Sequence, residues 1–337
     1  MAQCGIPRVD SLLSGATGVA PIAPGDQDRS AVGAVQDLLT GLGQRGMPGL
    51  LSPDYGVFGP ATSGAVRNFR QQQNLPPQDS VDSQALQTMV QAPASAPIAS
   101  QVYLSLVLDI PFTGLAKVLS ITAQMEGAGK FAALNRNTDR AGLSFGLIQW
   151  AQKPGRLAEI LGEFSSSSPD DFSRIFGGGD ATQSAGLLAH TQKVKGGIDP
   201  ATGLTTDPAF DLIAEPWVSR FSQAALFVPF QQVQVRAALK DFGGSLATLR
   251  QYASQLQSER AVAFMLDLAN QFGDGGARSI YQAVQQAALS EAQLLQAIAD
   301  ESVRRIQDPF KPGTQARRAH FLAATFLSDA PFTSTPA

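Results

Sequence analysis

Cysteine occurs once in the 337 residues, at Cys4, and histidine twice, at His190 and His320. A single thiol excludes an intramolecular disulfide and leaves no oxidative crosslink to point to export. Two histidines and one N-terminal cysteine leave no ligand set for a zinc centre built on two or three histidines, which argues against metal-dependent amidases and peptidases. No metal and no cofactor is therefore expected. Charge is sparse as well: acidic and basic residues together make up 16% of the chain and the formal net charge is -3. No global field draws such a chain to nucleic acid, and no long basic run appears. No segment reaches the uninterrupted apolar length of a membrane span.

What is present favours helix. The apolar fraction is 44%, enough for a substantial core, and alanine and glutamine, both good helix formers, are heavily used. The length suggests two or more domains, and the fold class expected is all-α with a minor β region. Residues 1–28 mix Gly, Pro, Ser and Asp and read as a flexible lead-in. Residues 29–91 read as a compact unit of three amphipathic helices. Val32, Val35, Leu38, Leu39 and Leu42 mark the first; Ala61, Ala65, Val66 and Phe69 the second; Val81, Ala85, Leu86 and Met89 the third. Between the first two, SPDYGVFGPATSGAV combines turn-forming glycines with Pro60, which suits a first helical position. Residues 92–100, with Pro93 and Pro97, read as a linker.

Helical patterns fill 101–330. Helices are expected near 209–225, 229–241, 244–255, 257–272, 277–288, 291–306 and 313–327, with Gly243–Gly244 and Gly273 as breaks. SSSSPDD at 165–171 reads as a loop. The exception to helix is the stretch EGAGKFAALNRNTDRAGLSFGLIQW, residues 126–150, where β structure is expected over about 136–150. Leu115, Val118, Leu119, Thr122 and Glu126 recur at steps of three and four, so Glu126 ends an apolar stripe. A carboxylate there is costly unless it is paired or holds a proton. A second acid, Asp139, lies 13 residues on, in a polar loop where solvent and hydrogen bonds keep it ionised. That asymmetry separates a general acid from a base in glycoside cleavage. Asp139 equally suits an ion pair with Arg136 or Arg140 that only pins the loop.

Two resemblances carry the functional reading. Residues 29–91 resemble a peptidoglycan-binding domain of the three-helix type, on Val35, Gln36, Leu39, Leu42 and Gly43, then Asp54, Gly56, Phe58, Gly59, Pro60 and Thr62, then Ala65, Val66 and Phe69. Tyr55 is an insertion in the usual Asp-Gly-x-Phe-Gly run. Phe58 and Phe69 are expected in the small core, and Gly56 and Gly59 in the turns. The stretch 126–150 resembles the active-site segment of the lysozyme-like glycoside hydrolase superfamily, within it the chitosanase-like branch. Glu126 and Gly127 stand at the helix-terminal Glu, Asp139 at the second acid, and Leu143, Ser144, Phe145, Gly146 and Gln149 in the returning segment. Neither branch's motif is matched in full.

The resemblance implies a two-lobed lysozyme-like catalytic domain over 101–330, with Glu126 as acid and Asp139 or a neighbour as the water-activating base of an inverting enzyme. Asn135, Asn137, Thr138, Ser144, Gln149 and Trp150 are the candidate substrate contacts. The asparagines and Thr138 also suit turn-closing hydrogen bonds, and Trp150 also fits the apolar series of Leu143, Phe145 and Leu147. Ser144 has no Asp–His relay nearby in sequence. Arg260 and Asp267, seven apart on one helix face, either support Glu126 through a buried ion pair or pack helices together. The implied partner is peptidoglycan or a related amino-sugar polymer. A chitosanase-like hydrolase, a lytic transglycosylase and a non-catalytic wall-binding protein are the alternatives. The N-terminus MAQCGIPRVDSLLSG lacks the basic start and apolar run of a standard secretory signal. The expectation is synthesis in the cytoplasm and action at the cell wall or periplasm after lysis or specialised export.

Overall fold

The computed structural model describes residues 3–137, 140–286 and 288–334. Among these the chain is mostly helical, as the composition suggests. In the first third lie α1 (Pro7–Leu13), α2 (Arg29–Gly41), α3 (Pro60–Gln72), α4 (Ser83–Gln91), α5 (Gln101–Leu106) and α6 (Gly114–Gly127). A small sheet follows, of β1 (Leu134–Arg136), β2 (Leu143–Phe145) and β3 (Trp150–Ala151). Then come α7 (Arg156–Ser167), α8 (Pro169–Phe176), α9 (Ala181–Thr191), α10 (Trp217–Ala224), α11 (Val228–Tyr252), α12 (Glu259–Val284), α13 (Glu291–Arg304) and α14 (Lys311–Ala323). None of the described helices is long and apolar enough to cross a membrane.

Two compact units are distinguished: Met1–Pro111 with Glu126–Ala238, and Phe112–Met125 with Leu239–Ala337. This differs from the expected division into a 29–91 module, a 92–100 linker and a single domain over 101–330. The reason lies in the flanks of the module. α1 is not a loose lead-in: Val9, Leu12 and Leu13 join Val32, Val35, Leu39, Phe58, Val66, Phe69, Leu86 and Met89 in one core. The Ser83 hydroxyl and the Gln87 amide donate to the carbonyls of Leu12 and Leu13, closing the end of α1 onto α4. Ile22 pairs with Val81. The apolar spacing Ile6, Val9, Leu12, Leu13 carries this helix, masked in sequence by the Gly- and Pro-rich residues after it.

The linker is packed as well. The N–H groups of Ser95 and Ala96 both donate to the Gly41 carbonyl. Ile98 bridges Lys130, the Ala99 N–H donates to Gly129, and the Phe131 N–H donates to Pro97. The stretch leaving the module is thus hydrogen-bonded to the stretch that follows Glu126.

The three helices of the module begin where their caps stand. The Asp28 side chain accepts from the Ala31 N–H at 3.1 Å and that of Asp82 from the Ala85 N–H at 2.8 Å, while Pro60 occupies the first position of α3. Phe58 and Phe69 are buried, as expected. Gly56 takes a φ of 77° and lies so close to Arg29 that a side chain has no room. Gly59 does not need to be glycine for its turn: its φ is -93° and nothing crowds it.

The sheet is antiparallel in the order β1-β2-β3, with Leu134 opposite Phe145, Asn135 opposite Ser144 and Phe145 opposite Trp150. It falls within the expected β region and begins two residues earlier. Phe145 seats it on a cluster of phenylalanines, 4.9 Å from Phe221 and 6.0 Å from Phe230 between ring centres. Phe164, Phe172 and Phe176 of α7 and α8 extend the cluster. The loop expected at 165–171 shrinks to Ser168 between these two helices.

In the second unit, α12, α13 and α14 pack around Phe264 and Phe321. The break expected at Gly273 is present inside α12, where φ reaches 72°. The break expected at Gly243–Gly244 is absent, and α11 runs through both. The helix expected over 209–225 shortens to α10, preceded by a 3-10 turn at Pro208–Phe210.

Candidate active-site segment

Glu126 is the penultimate residue of α6 and is half-buried, while Val118, Leu119 and Thr122 of its stripe are buried. The periodicity that singled it out is therefore real. Gly127 follows because the chain returns directly across it: a side chain there would come within 2.3 Å of the Ala133 methyl. Ala128 and Gly129, at φ 55° and 72°, make that return. β1 begins one residue after Ala133.

The residues expected to bind substrate divide sharply. Asn135 is half-buried on β1, opposite Ser144. Asn137, at φ 63°, uses its side chain to accept from the Gly142 N–H at 3.0 Å, and its own N–H donates to the Gly142 carbonyl. It closes the β1–β2 connection, the turn-forming role left open by the sequence. Thr138 and Asp139 lie outside the described residues. Ser144 is 4% exposed and Trp150 2%, so both belong to the interior of the sheet region and offer no surface to a polymer. Gln149 is half-buried, with its amide donating to the carbonyls of Ala133 at 3.2 Å and Gly146 at 3.1 Å. It ties the β2–β3 turn to the segment after Glu126.

Two residues that sequence reasoning passed over set the frame. Gln234, fully buried on α11, accepts from the Leu147 N–H at 3.2 Å and donates to the Phe131 carbonyl at 3.3 Å. Gly146, at φ 85°, must be glycine because a side chain would meet the Gln234 amide oxygen at 2.5 Å. Gln152, 1% exposed, accepts from the Leu143 N–H and donates to the Gly196 carbonyl at 2.8 Å. Buried amides of this kind persist only when their donors and acceptors are matched. No periodic signal marks them, since their partners are distant in sequence.

Arg260 and Asp267 serve the second unit. Arg260 reaches Asp329 at 2.7 Å and the carbonyls of Phe321, Leu322, Ala324 and Leu327. Asp267, with no exposed surface, receives Arg317 at 2.6 Å and Arg318 at 2.7 Å. These contacts hold α12 to α14 and the C-terminal segment. The reading of this pair as support for Glu126 gives way to the helix-packing alternative.

Within the module, a cavity of about 400 Å³ is lined by Gly46, Pro48, Ser52, Asp54, Val57, Gly59, Pro60, Ala61 and Thr62. Its wall is fixed by Gln36, whose amide oxygen accepts from the Gly56 N–H at 2.8 Å. The amide nitrogen donates to the Val57 carbonyl at 2.9 Å and the Thr62 hydroxyl at 3.0 Å. The uncapped start of α3 borders the cavity, leaving backbone N–H groups for a ligand. No group of three or more metal-ligating side chains occurs among the described residues.

Residues 28–89 match the family described as putative peptidoglycan binding domain. The match begins at the Asp28 cap of α2 and ends within α4, so it takes in the cavity and Gln36. A mutant chitosanase from Bacillus subtilis MY002, crystallised with 6 GlcN, is similar over 63% of this chain and 85% of its own. Identity is 14% and the TM-score 0.43. No curated protein matches the chain.

Proposed function

We propose that the chain is a cell-wall glycoside hydrolase that cleaves the glycan strand of peptidoglycan, with Glu126 as the general acid and Asp139 as the base. The peptidoglycan-binding module holds the polymer through the cavity between the 46–59 loop and α3. The observation that carries this reading is the joining of the module to the segment after Glu126 by the hydrogen bonds of residues 97–99 with 129–131. A polymer-binding unit and a half-buried carboxyl at a helix end thereby belong to one compact body.

Acid catalysis of glycoside cleavage requires a carboxyl group that delivers a proton to the leaving oxygen while a second group manages water on the other face. Glu126 sits on a helix end where Gly127 closely approaches Ala133, and Gln149 and Gln234 hold the segment that follows it. Such anchoring holds a donor within the small tolerance that proton transfer needs. Purified peptidoglycan incubated with the parent should release new reducing ends. Glu126→Gln keeps the shape and removes the proton, and should slow release by about 10²–10⁴-fold while the thermal midpoint stays close to the parent's. Parental rates in E126Q would remove Glu126 from the chemistry. Sedimentation with walls but no release by the parent would leave a binding protein.

A further inference from the structure

A second cavity, of about 300 Å³, opens beside the β3–α7 connection in the first unit. Its chemistry differs from the module's. Lys153, Lys193 and Lys195 all line it, and no acidic side chain occurs among the described residues that do so. Three lysines lining one small volume concentrate positive charge there, which a bound anion would offset. The start of α7 borders the same space: Gly155, at φ 85°, precedes the helix and no side chain caps it. The positive end of a 12-residue helix dipole therefore adds to the lysine field.

The walls are built to keep this arrangement. The Lys153 ammonium is held to the Arg140 carbonyl at 3.3 Å. Opposite, Lys195 and Gly196 are both left-handed, at φ 58° and 64°. Gly196 is pressed so closely on the Gln152 backbone that a side chain would approach its carbonyl to 2.1 Å. The Gln152 amide locks the same turn through the Gly196 carbonyl. Nothing in the proton chemistry of Glu126 uses these groups.

We propose that this pocket is a binding site for a phosphate ester. The lining offers point-charge donors and helix N–H groups, which suit a tetrahedral oxyanion. Lysine is a common point-charge partner of phosphate. The volume exceeds the need of one phosphate group and leaves room for an esterified carbon on each side. A phosphodiester of an anionic wall polymer, a lipid headgroup and a soluble phosphate share this chemistry.

The test uses the full chain at constant ionic strength. Inorganic phosphate should raise the thermal midpoint relative to chloride, and calorimetric titration should show saturable binding. The triple variant K153Q/K193Q/K195Q should weaken it by about tenfold or more, as loss of charge-assisted bonds requires. K240Q, an exposed lysine elsewhere, should leave it unchanged. Co-sedimentation with a poly(glycerol phosphate) polymer, or with phosphatidylglycerol vesicles, then assigns the source. Binding to either that inorganic phosphate displaces supports the site, as does saturable binding of inorganic phosphate alone. Equal effects of phosphate and chloride, or equal phosphate binding by parent and triple variant, would overturn it. A loss in K240Q as large as in the triple variant would also overturn it, since the effect would then be diffuse charge.

Discussion

The Tyr55 hydroxyl donates to the Asp37 carboxylate at 2.8 Å. Tyr55 is the residue inserted in the module's Asp-Gly-x-Phe-Gly run, and Asp37 lies on the buried face of α2. The contact latches the 51–59 loop to that helix, with the Tyr55 ring lying over Gly33, where a side chain would come within 2.7 Å of it. Burial pushes the Asp37 carboxyl up to about 7, against the hydrogen bonds from the Tyr55 and Ser100 hydroxyls, which pull it down.

That shift has a sign. In the unfolded chain Asp37 ionises near pH 4, whereas in the folded chain it holds its proton until about 7. Between those values the folded state binds more protons, so this group's contribution is fully present below about pH 4 and is lost as pH rises through about 7. Asp37→Asn keeps an acceptor for Tyr55 and cannot titrate. The parent's thermal midpoint should fall further between pH 5 and pH 8 than that of D37N. Parallel pH profiles would show that the Asp37 carboxyl does not titrate in this way.

The N-terminal helix makes a second prediction. Leu12 is 3% exposed in the core it shares with Leu86 and Met89. Truncation of such a side chain removes its burial and leaves a cavity, so Leu12→Ala should cost about 2–5 kcal/mol. Chemical denaturation of the full chain measures this. A flexible lead-in, as the composition of residues 1–28 suggested, would give no change.

That contrast shows what the sequence made legible. Stripes such as Val32–Val35–Leu39 and Leu119–Thr122–Glu126 were readable because one face repeats at the helical period. Gly and Pro density hid α1, which is shorter than the punctuation around it. Gly273 and Gly243–Gly244 look alike in sequence, yet only Gly273 adopts a positive φ. The other pair stays helical, and glycine's poor propensity of about 1 kcal/mol each does not break α11. Ser144 and Trp150 come into question as substrate contacts only through the family resemblance, and the apolar series Leu143, Phe145, Leu147 already points Trp150 to the interior. All three residues of β2 are buried, and Phe145 meets a phenylalanine cluster whose members are brought from five separate helices and strands. The glutamines at 152 and 234 owe their roles to partners up to 103 residues away, and local pattern carries no trace of those.

Asp267 yields a prediction for the second unit. It pairs with both Arg317 and Arg318, and Arg318 is itself only 1% exposed, with the Ser302 hydroxyl at 3.1 Å and Phe264 beneath its guanidinium. Asp267→Asn leaves buried positive charge without its carboxylate, and breaking such a pair costs about 3–5 kcal/mol. D267N should therefore melt well below the parent. The double variant D267N/R318M should recover part of the loss, because the more deeply buried of the two guanidinium charges is gone. No recovery would place the cost in lost packing of Arg318 instead of its charge. The same variant separates structure from chemistry: glycan cleavage by D267N at low temperature, where the fold persists, should stay near the parental rate.

The last prediction concerns Asp139, on which the stereochemistry of the proposed reaction turns. On either side of it in sequence, the Asn137 side chain accepts from the Gly142 N–H and the Lys153 ammonium donates to the Arg140 carbonyl. Arg136 and Arg140 lie three residues before and one after it in sequence. An ionised acid opposite a protonated one is the arrangement by which an inverting enzyme activates water. Asp139→Asn removes the charge with little change in volume. If Asp139 is the base, D139N should still sediment with peptidoglycan through the module yet turn over about 10²–10⁴-fold more slowly. Fresh products of the parent should carry inverted anomeric configuration by NMR. An anhydro-sugar end would instead require Glu126 to act alone, as in a transglycosylase, and D139N would then keep its rate. Retained configuration would require a nucleophile in place of a water-activating base. Cleavage by D139N at the parental rate would assign this carboxylate to pinning its loop through Arg136 or Arg140.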